Sequence, residues 1–161
     1  MRNTINVLKN VANKIEDTRQ RNPIEVPKEN LSISRAHMPQ IAPDQRDNFL
    51  KSLEDEGISH QFVRVAPIHL KATQGEFNLE KVRSIMDKKP KLNPVIVSKD
   101  HFILDGHHRW LADYNEDKHE PTPIVKINLP ILDLIAQARR FRGVEFKSVT
   151  ENTKYKIRNN L

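Results

Sequence analysis

Apolar residues recur at two different periods along the chain, and the switches between them mark out the elements. Ile5, Leu8, Val11, Ala12 and Ile15 fall at helical spacing, which predicts an amphipathic helix over 4–19. Pro23 and Pro27 then impose an extended linker, and Pro39 and Pro43 keep the segment 31–41 extended. A short helix is expected over 44–56, with Asp44 as N-cap and Gly57 as its stop. Residues 60–70 read as a strand whose end is weakened by Pro67. Residues 71–77 read as a polar loop. Asn78 caps a helix over 79–88 that carries Leu79, Val82, Ile85 and Met86 on one face. Two apolar runs, 94–98 and 101–104, flank Lys99-Asp100 and predict a β-hairpin. A helix is expected from about His107, a charged loop over 115–122, a strand over 123–128, and a helix over 131–141 with Pro130 at its first position and Gly143 as its stop.

This order of elements predicts a small mixed-sheet α/β (α+β) domain with flanking N-terminal and C-terminal helices. Three parts are expected: an N-terminal helix and extended arm over 1–48, the domain proper over 49–143, and a basic tail over 144–161. A length of 161 residues suits one domain of ordinary size. The absence of cysteine excludes disulfide scaffolds, thiol catalysis and thiolate metal sites. No apolar run is long enough to cross a bilayer and no signal-peptide pattern opens the chain, so a cytoplasmic protein without a membrane partner is expected.

Charge is unevenly spread. Residues 139–161 carry seven basic and two acidic side chains, residues 1–22 five and two, and the part between them is net −2 against a total of +6. Basic ends of this kind can grip nucleic acid through its phosphates, or can simply be solvated.

The segment richest in chemistry is Ile103-Leu-Asp-Gly-His-His-Arg-Trp-Leu-Ala112, where a strand runs through Asp-Gly into a helix. Gly106 permits a sharp turn and close approach by another group. The first amides of the helix lack intrahelical partners and sit at the positive end of its dipole. With His107, His108 and Arg109 beside them, these amides form an expected anion site with phosphate as the natural guest. Asp105 could orient a hydroxyl, help hold magnesium or cap the helix. Capping alone would account for Asp105 and Gly106, but it does not require the His-His-Arg that follows. Zinc is disfavoured, because adjacent helical histidines point about 100° apart.

This segment resembles the phosphate-binding signature of the ParB/sulfiredoxin-like superfamily, whose members include domains called ParB-like nucleases in phage and bacterial genomes. The resemblance covers roughly residues 60–130, including Val65-Ala-Pro-Ile-His-Leu70, Asn93-Pro-Val-Ile-Val-Ser98 and Pro123-Ile-Val-Lys-Ile127. The Asp-Gly-His-His-Arg form is similar to the branch that contains free serine kinases. Sulfiredoxin activity needs a cysteine that this chain lacks, and about thirty residues after position 130 leave no room for the helix-turn-helix and dimerisation domains of partition proteins.

The resemblance implies a nucleotide-binding enzyme that moves a phosphoryl group from ATP or ADP, with Mg2+, to a hydroxyl on a small molecule or nucleic acid. It implies catalytic roles for Glu76, Asp105 and His108, with Glu76 as base, and nucleotide contacts from Thr73, Gln74, Gly106, His107, His108 and Arg109. Asp105 would help hold the magnesium ion. The alternatives are a ParB-like nuclease or DNA-binding protein gripping backbone phosphates, and a non-catalytic nucleotide-binding module. Homo-oligomers and a bacterial or phage-infected cytoplasm fit the same resemblance. Two further segments draw notice: Arg35-Ala-His-Met-Pro-Gln-Ile41, as a strap across the site or an ordinary packing arm, and Lys71, as a phosphate contact or an exposed lysine.

Overall fold

The computed structural model describes residues 23–146 and the backbone of a strand over 154–156. The helix expected over 4–19 and most of the basic tail lie outside the described residues. The chain runs through β1 (Asn30–Ile33), β2 (Gln40–Ile41), α1 (Arg46–Asp55), β3 (His60–Val65), β4 (Ala72–Gln74), β5 (Glu76–Asn78) and α2 (Leu79–Lys88). It continues through β6 (Val95–Val97), β7 (Ile103–Asp105), α3 (His107–Asp117), β8 (Thr122–Ile127), α4 (Ile131–Arg140), β9 (Val144–Glu145) and β10 (Lys154–Lys156). The α+β class is therefore as expected.

A four-stranded mixed sheet in the order β3-β8-β6-β7 forms the centre. β3 and β8 are antiparallel, with His60 opposite Ile127 and Val65 opposite Thr122. β8 and β6 are parallel, and β6 returns antiparallel on β7 as the expected hairpin. Its connection is longer than the two-residue turn the sequence suggests. Ser98 Oγ accepts the Phe102 N–H at 3.0 Å, and His101 takes a left-handed φ of 68° to close the loop.

Both faces of the sheet are covered, because β6 alternates its side chains between them. Ile96 joins Leu104, Val125 and Ile127 against Phe49, Leu50 and Leu53 of α1 and Leu134 of α4. Val95 and Val97 join Ile103 and Ile124 against Val82 of α2 and Trp110 and Leu111 of α3. The Trp110 indole N–H is satisfied by the Pro67 carbonyl at 2.9 Å, which allows the ring to be fully buried. No helix among the described residues is long and apolar enough to cross a membrane.

Several expectations need correction. Asp44 does not cap α1; it lies in a 3-10 turn over Pro43–Gln45 and α1 begins without a side-chain cap. The boundary expected between 48 and 49 falls inside α1, whose Phe49, Leu50 and Leu53 are buried. The strand from residue 60 stops at Val65, and Pro67 opens a further 3-10 turn over Pro67–His69. The supposed polar loop 71–77 is mostly two short buried strands, β4 pairing with β1 and β5 with β10. α3 runs on to Asp117 through part of the expected charged loop. Pro130 is the N-cap of α4 rather than its first residue, and α4 ends at Arg140, its C-cap Phe141 turning extended before Gly143 is reached. The expected tail includes β9, paired to β2, as well as β10. In contrast, Asn78 caps α2 as expected, its side chain accepting the Lys81 N–H at 3.1 Å.

Candidate anion-binding site

Gly106 joins β7 to α3 with φ 100° and ψ 27°, a conformation that favours glycine. A Cβ there would lie 3.2 Å from Val95 Cγ2, so the group that approaches closely is the neighbouring strand. No side chain caps α3, and its first intrahelical bond runs from the Trp110 N–H to the Gly106 carbonyl at 2.9 Å. The preceding amides of His107, His108 and Arg109 thus lack intrahelical partners at the positive end of an 11-residue helix.

These residues line a cleft of about 410 Å3. Four cationic side chains, Arg35, Arg46, Lys81 and Arg109, line it with two carboxylates, Asp105 and Glu145. The strap noted in the sequence does form part of the wall, through Arg35, Gln40 and Ile41. Arg35 is 8% exposed, and its Nε is buried without a hydrogen-bond partner. Burial pushes the Arg35 and Arg46 guanidinium pKa values down, and the charge of Asp105 opposes that shift at both. Arg46 also donates to the Pro94 carbonyl.

The two histidines are not the cationic donors expected. Both are buried, at 3% and 6% exposure. His107 Nε2 accepts the Thr73 N–H at 3.1 Å, and the Thr73 hydroxyl donates to the Ile103 carbonyl at 2.7 Å. His108 Nε2 accepts the Asn78 N–H at 2.9 Å. An imidazole nitrogen that accepts a backbone N–H carries no proton, so each ring is neutral with its hydrogen on Nδ1. Burial, reinforced by the Arg35 charge, lowers the His107 pKa to about 3. Burial, with Arg35, Lys81 and His107 adding to it, lowers that of His108 to about 2. The rings therefore tie α3 to β4 and β5, and so fix where the helix amides sit.

The remaining candidates divide. Arg109 spends its guanidinium on the Leu92 carbonyl and, at 2.7 Å, the Asn93 carbonyl, with Asp113 3.7 Å away; it anchors the 90–94 loop at the cleft rim. Gln74 lines the cleft, its Nε2 donating to the Glu76 carbonyl at 2.8 Å and its Oε1 buried without a partner. Thr73 is fully buried behind His107. Glu76 is buried in β5 and is not a wall of the cleft. Lys71 lies over the Phe102 ring at 4.7 Å, outside the cleft wall. Among the described residues, no three His, Asp or Glu side chains are grouped to hold a metal ion. With Asp105 flanked by the charges of Arg35 and Arg46, the donor set does not fit a magnesium ion held by the protein itself.

No family model and no curated protein matches the chain. Among solved structures, a Pnob8-like ParB-N domain is similar to it at 16% identity with a TM-score of 0.39. That likeness covers 50% of this chain and 35% of the other.

With Lys81, Arg46 is a cationic wall residue that sequence reading missed. It stands on the first turn of a helix distant in sequence from Asp105, and no spacing signal links the two. Arg35 was noticed only as part of an unusual segment.

Proposed function

We propose that the cleft binds the phosphate groups of a small ligand, a nucleotide such as ATP or ADP being the expected form. One observation carries this reading. The Nε of Arg35, buried without a hydrogen-bond partner, belongs to a side chain that lines the same cleft as the uncapped N-terminus of α3. A buried N–H without a hydrogen-bond partner is costly, and an anion offsets that cost while also satisfying the helix amides. Arg46 and Lys81 add charge around the same space. The Asp-Gly-His-His-Arg resemblance to the ParB/sulfiredoxin-like superfamily points the same way.

Phosphoryl transfer to a hydroxyl is the second reading, favoured by Asp105, the carboxylate of the motif, standing in the cleft wall. There it would take the acceptor proton as the acceptor oxygen bonds to phosphorus and the bond to the departing nucleotide breaks. Glu76, buried outside the wall, is not placed for that role.

Calorimetric titration of the protein with ATP, ADP and pyrophosphate tests the binding. Saturable binding is expected, weakened about tenfold or more in Arg46→Ala and less in Lys81→Ala, an order of loss typical of a charge-assisted contact. Absence of binding by all three would overturn the proposal. ADP release from ATP that depends on an added hydroxyl compound, and is lost in Asp105→Asn, would establish transfer; binding without turnover would leave a nucleotide-binding module.

A further inference from the structure

Gln74 is 1% exposed, yet it forms part of the cleft wall. β4 carries it, and the N–H of the next residue, Gly75, donates to the Ile33 carbonyl at 2.9 Å, which fixes its place beside β1. The Gln74 Nε2 donates to the Glu76 carbonyl at 2.8 Å. That bond settles which end of the amide is which, since an oxygen turned towards a carbonyl would meet a second acceptor. Oε1 is therefore the free end, buried and without a hydrogen-bond partner.

Neighbouring donors are committed elsewhere. The Thr73 N–H points to His107 Nε2 at 3.1 Å, and the Thr73 hydroxyl donates to the Ile103 carbonyl at 2.7 Å. The Gln74 N–H itself lies 3.4 Å from the same His107 nitrogen. A buried acceptor left unmatched is costly, and a donor brought in by a ligand removes that cost. An ionised phosphate oxygen only accepts, so Oε1 marks a part of the cleft that receives some other group. Hydroxyl and ammonium groups are the donors to weigh. The Arg35 charge is felt at His107, whose ring the Gln74 N–H faces, and it disfavours a second cation there. A hydroxyl brings the donor without the charge.

We propose that Gln74 is a specificity-determining residue whose Oε1 accepts a hydrogen bond from a hydroxyl group of what the cleft binds. The inference rests on the phosphate-binding reading above and narrows it to a phosphate accompanied by an alcohol. The alcohol belongs either to the phosphorylated molecule or to a separate molecule beside it, and the two arms of the test tell these apart.

The first arm titrates the full chain with glycerol 3-phosphate and with propyl phosphate, which share the phosphate and differ in two hydroxyls. Wild type is expected to bind glycerol 3-phosphate about fivefold or more tightly than propyl phosphate, the worth of one neutral hydrogen bond. Gln74→Leu should remove the difference, and 3-aminopropyl phosphate should gain nothing over propyl phosphate. The second arm titrates glycerol into protein saturated with propyl phosphate; binding that is lost in Gln74→Leu would assign the hydroxyl to a separate alcohol. Thermal unfolding checks that the variant is folded. Should it not be, the side-chain amide resonances of Gln74 in the wild type decide: glycerol 3-phosphate, or glycerol in the second arm, should move them beyond the shift that propyl phosphate causes. Equal affinity for the two esters together with no binding of glycerol, a preference retained in a folded Gln74→Leu, or resonances that do not move would overturn the role of Gln74 while phosphate binding stands. An equal gain for the amine would overturn the choice of a hydroxyl. Failure of wild type to bind either ester or pyrophosphate would overturn the phosphate site itself, and this inference with it.

Discussion

His107 and His108 show how a residue type can be noticed for one chemistry and serve another. Adjacent histidines at a helix start suggest donors to a phosphate, yet each ring gives its Nε2 to a backbone N–H of the neighbouring strands. A neutral, buried acceptor has a clear pH signature. The native pKa values, about 3 and about 2, lie below the ordinary 6.5. Below pH 6.5 the unfolded chain binds protons that the native rings refuse, so stability is fully present above that pH and declines as pH falls towards 3. Linkage gives a loss on the order of 2 kcal/mol per ring at pH 5. Urea unfolding at pH 7.5 and pH 5 measures it. His108→Gln, which keeps an acceptor but does not titrate, should flatten the slope, whereas His107→Leu should cost about 1–3 kcal/mol at pH 7.5 by orphaning the Thr73 N–H, and less than that relative to wild type at pH 5, where the native ring is itself a cost. A slope unchanged in His108→Gln would mean the ring is not held neutral.

The turn at Gly106 is where one element hands over to the next. The sequence signal was sound, since a strand does end at Asp105 and a helix does start at His107. Both expected reasons are present: glycine is needed for a φ of 100° and for the approach of Val95. Gly106→Ala meets both obstacles and should cost about 1–3 kcal/mol, read by urea unfolding, with weaker phosphate binding because the α3 amides shift. Elements with local signals were legible: the Asn78 cap, the 3.6-residue period of α2 and α4, and the apolar runs of the hairpin. β4 and β5 were not, because Thr-Gln-Gly-Glu-Phe has no strand pattern of its own. These strands are held by partners some thirty or more residues away, β1, β10 and the two histidines, and local spacing carries no record of such pairings. The same reasoning explains why Asp105 and Gly106 were found in the sequence but Arg46 was not.

At the scale of the molecule, one thin sheet separates two cores, and the candidate site depends on both. α3, whose N-terminus faces the cleft, packs on one side with Trp110 and Leu111. α4, which holds the strap through Arg139, packs on the other with Leu134. If the sheet couples the two faces, damage to one must be felt as a loss of the whole, because no strand can keep half its neighbours. Leu134 is fully buried, so Leu134→Ala should cost about 2–5 kcal/mol. The chain has a single tryptophan, and it lies in the opposite core, which makes it a local reporter on the face that was not altered. In Leu134→Ala, the urea transition followed by Trp110 fluorescence should coincide with that followed by far-ultraviolet circular dichroism, both at a lower midpoint than wild type. A saturating phosphate ligand should raise the two curves together, since it binds only when the α3 amides and the strap are both in place. A Trp110 transition left at the wild-type midpoint would show instead that the two faces unfold separately, and that the strap and the helix N-terminus are not held as one site by the sheet between them.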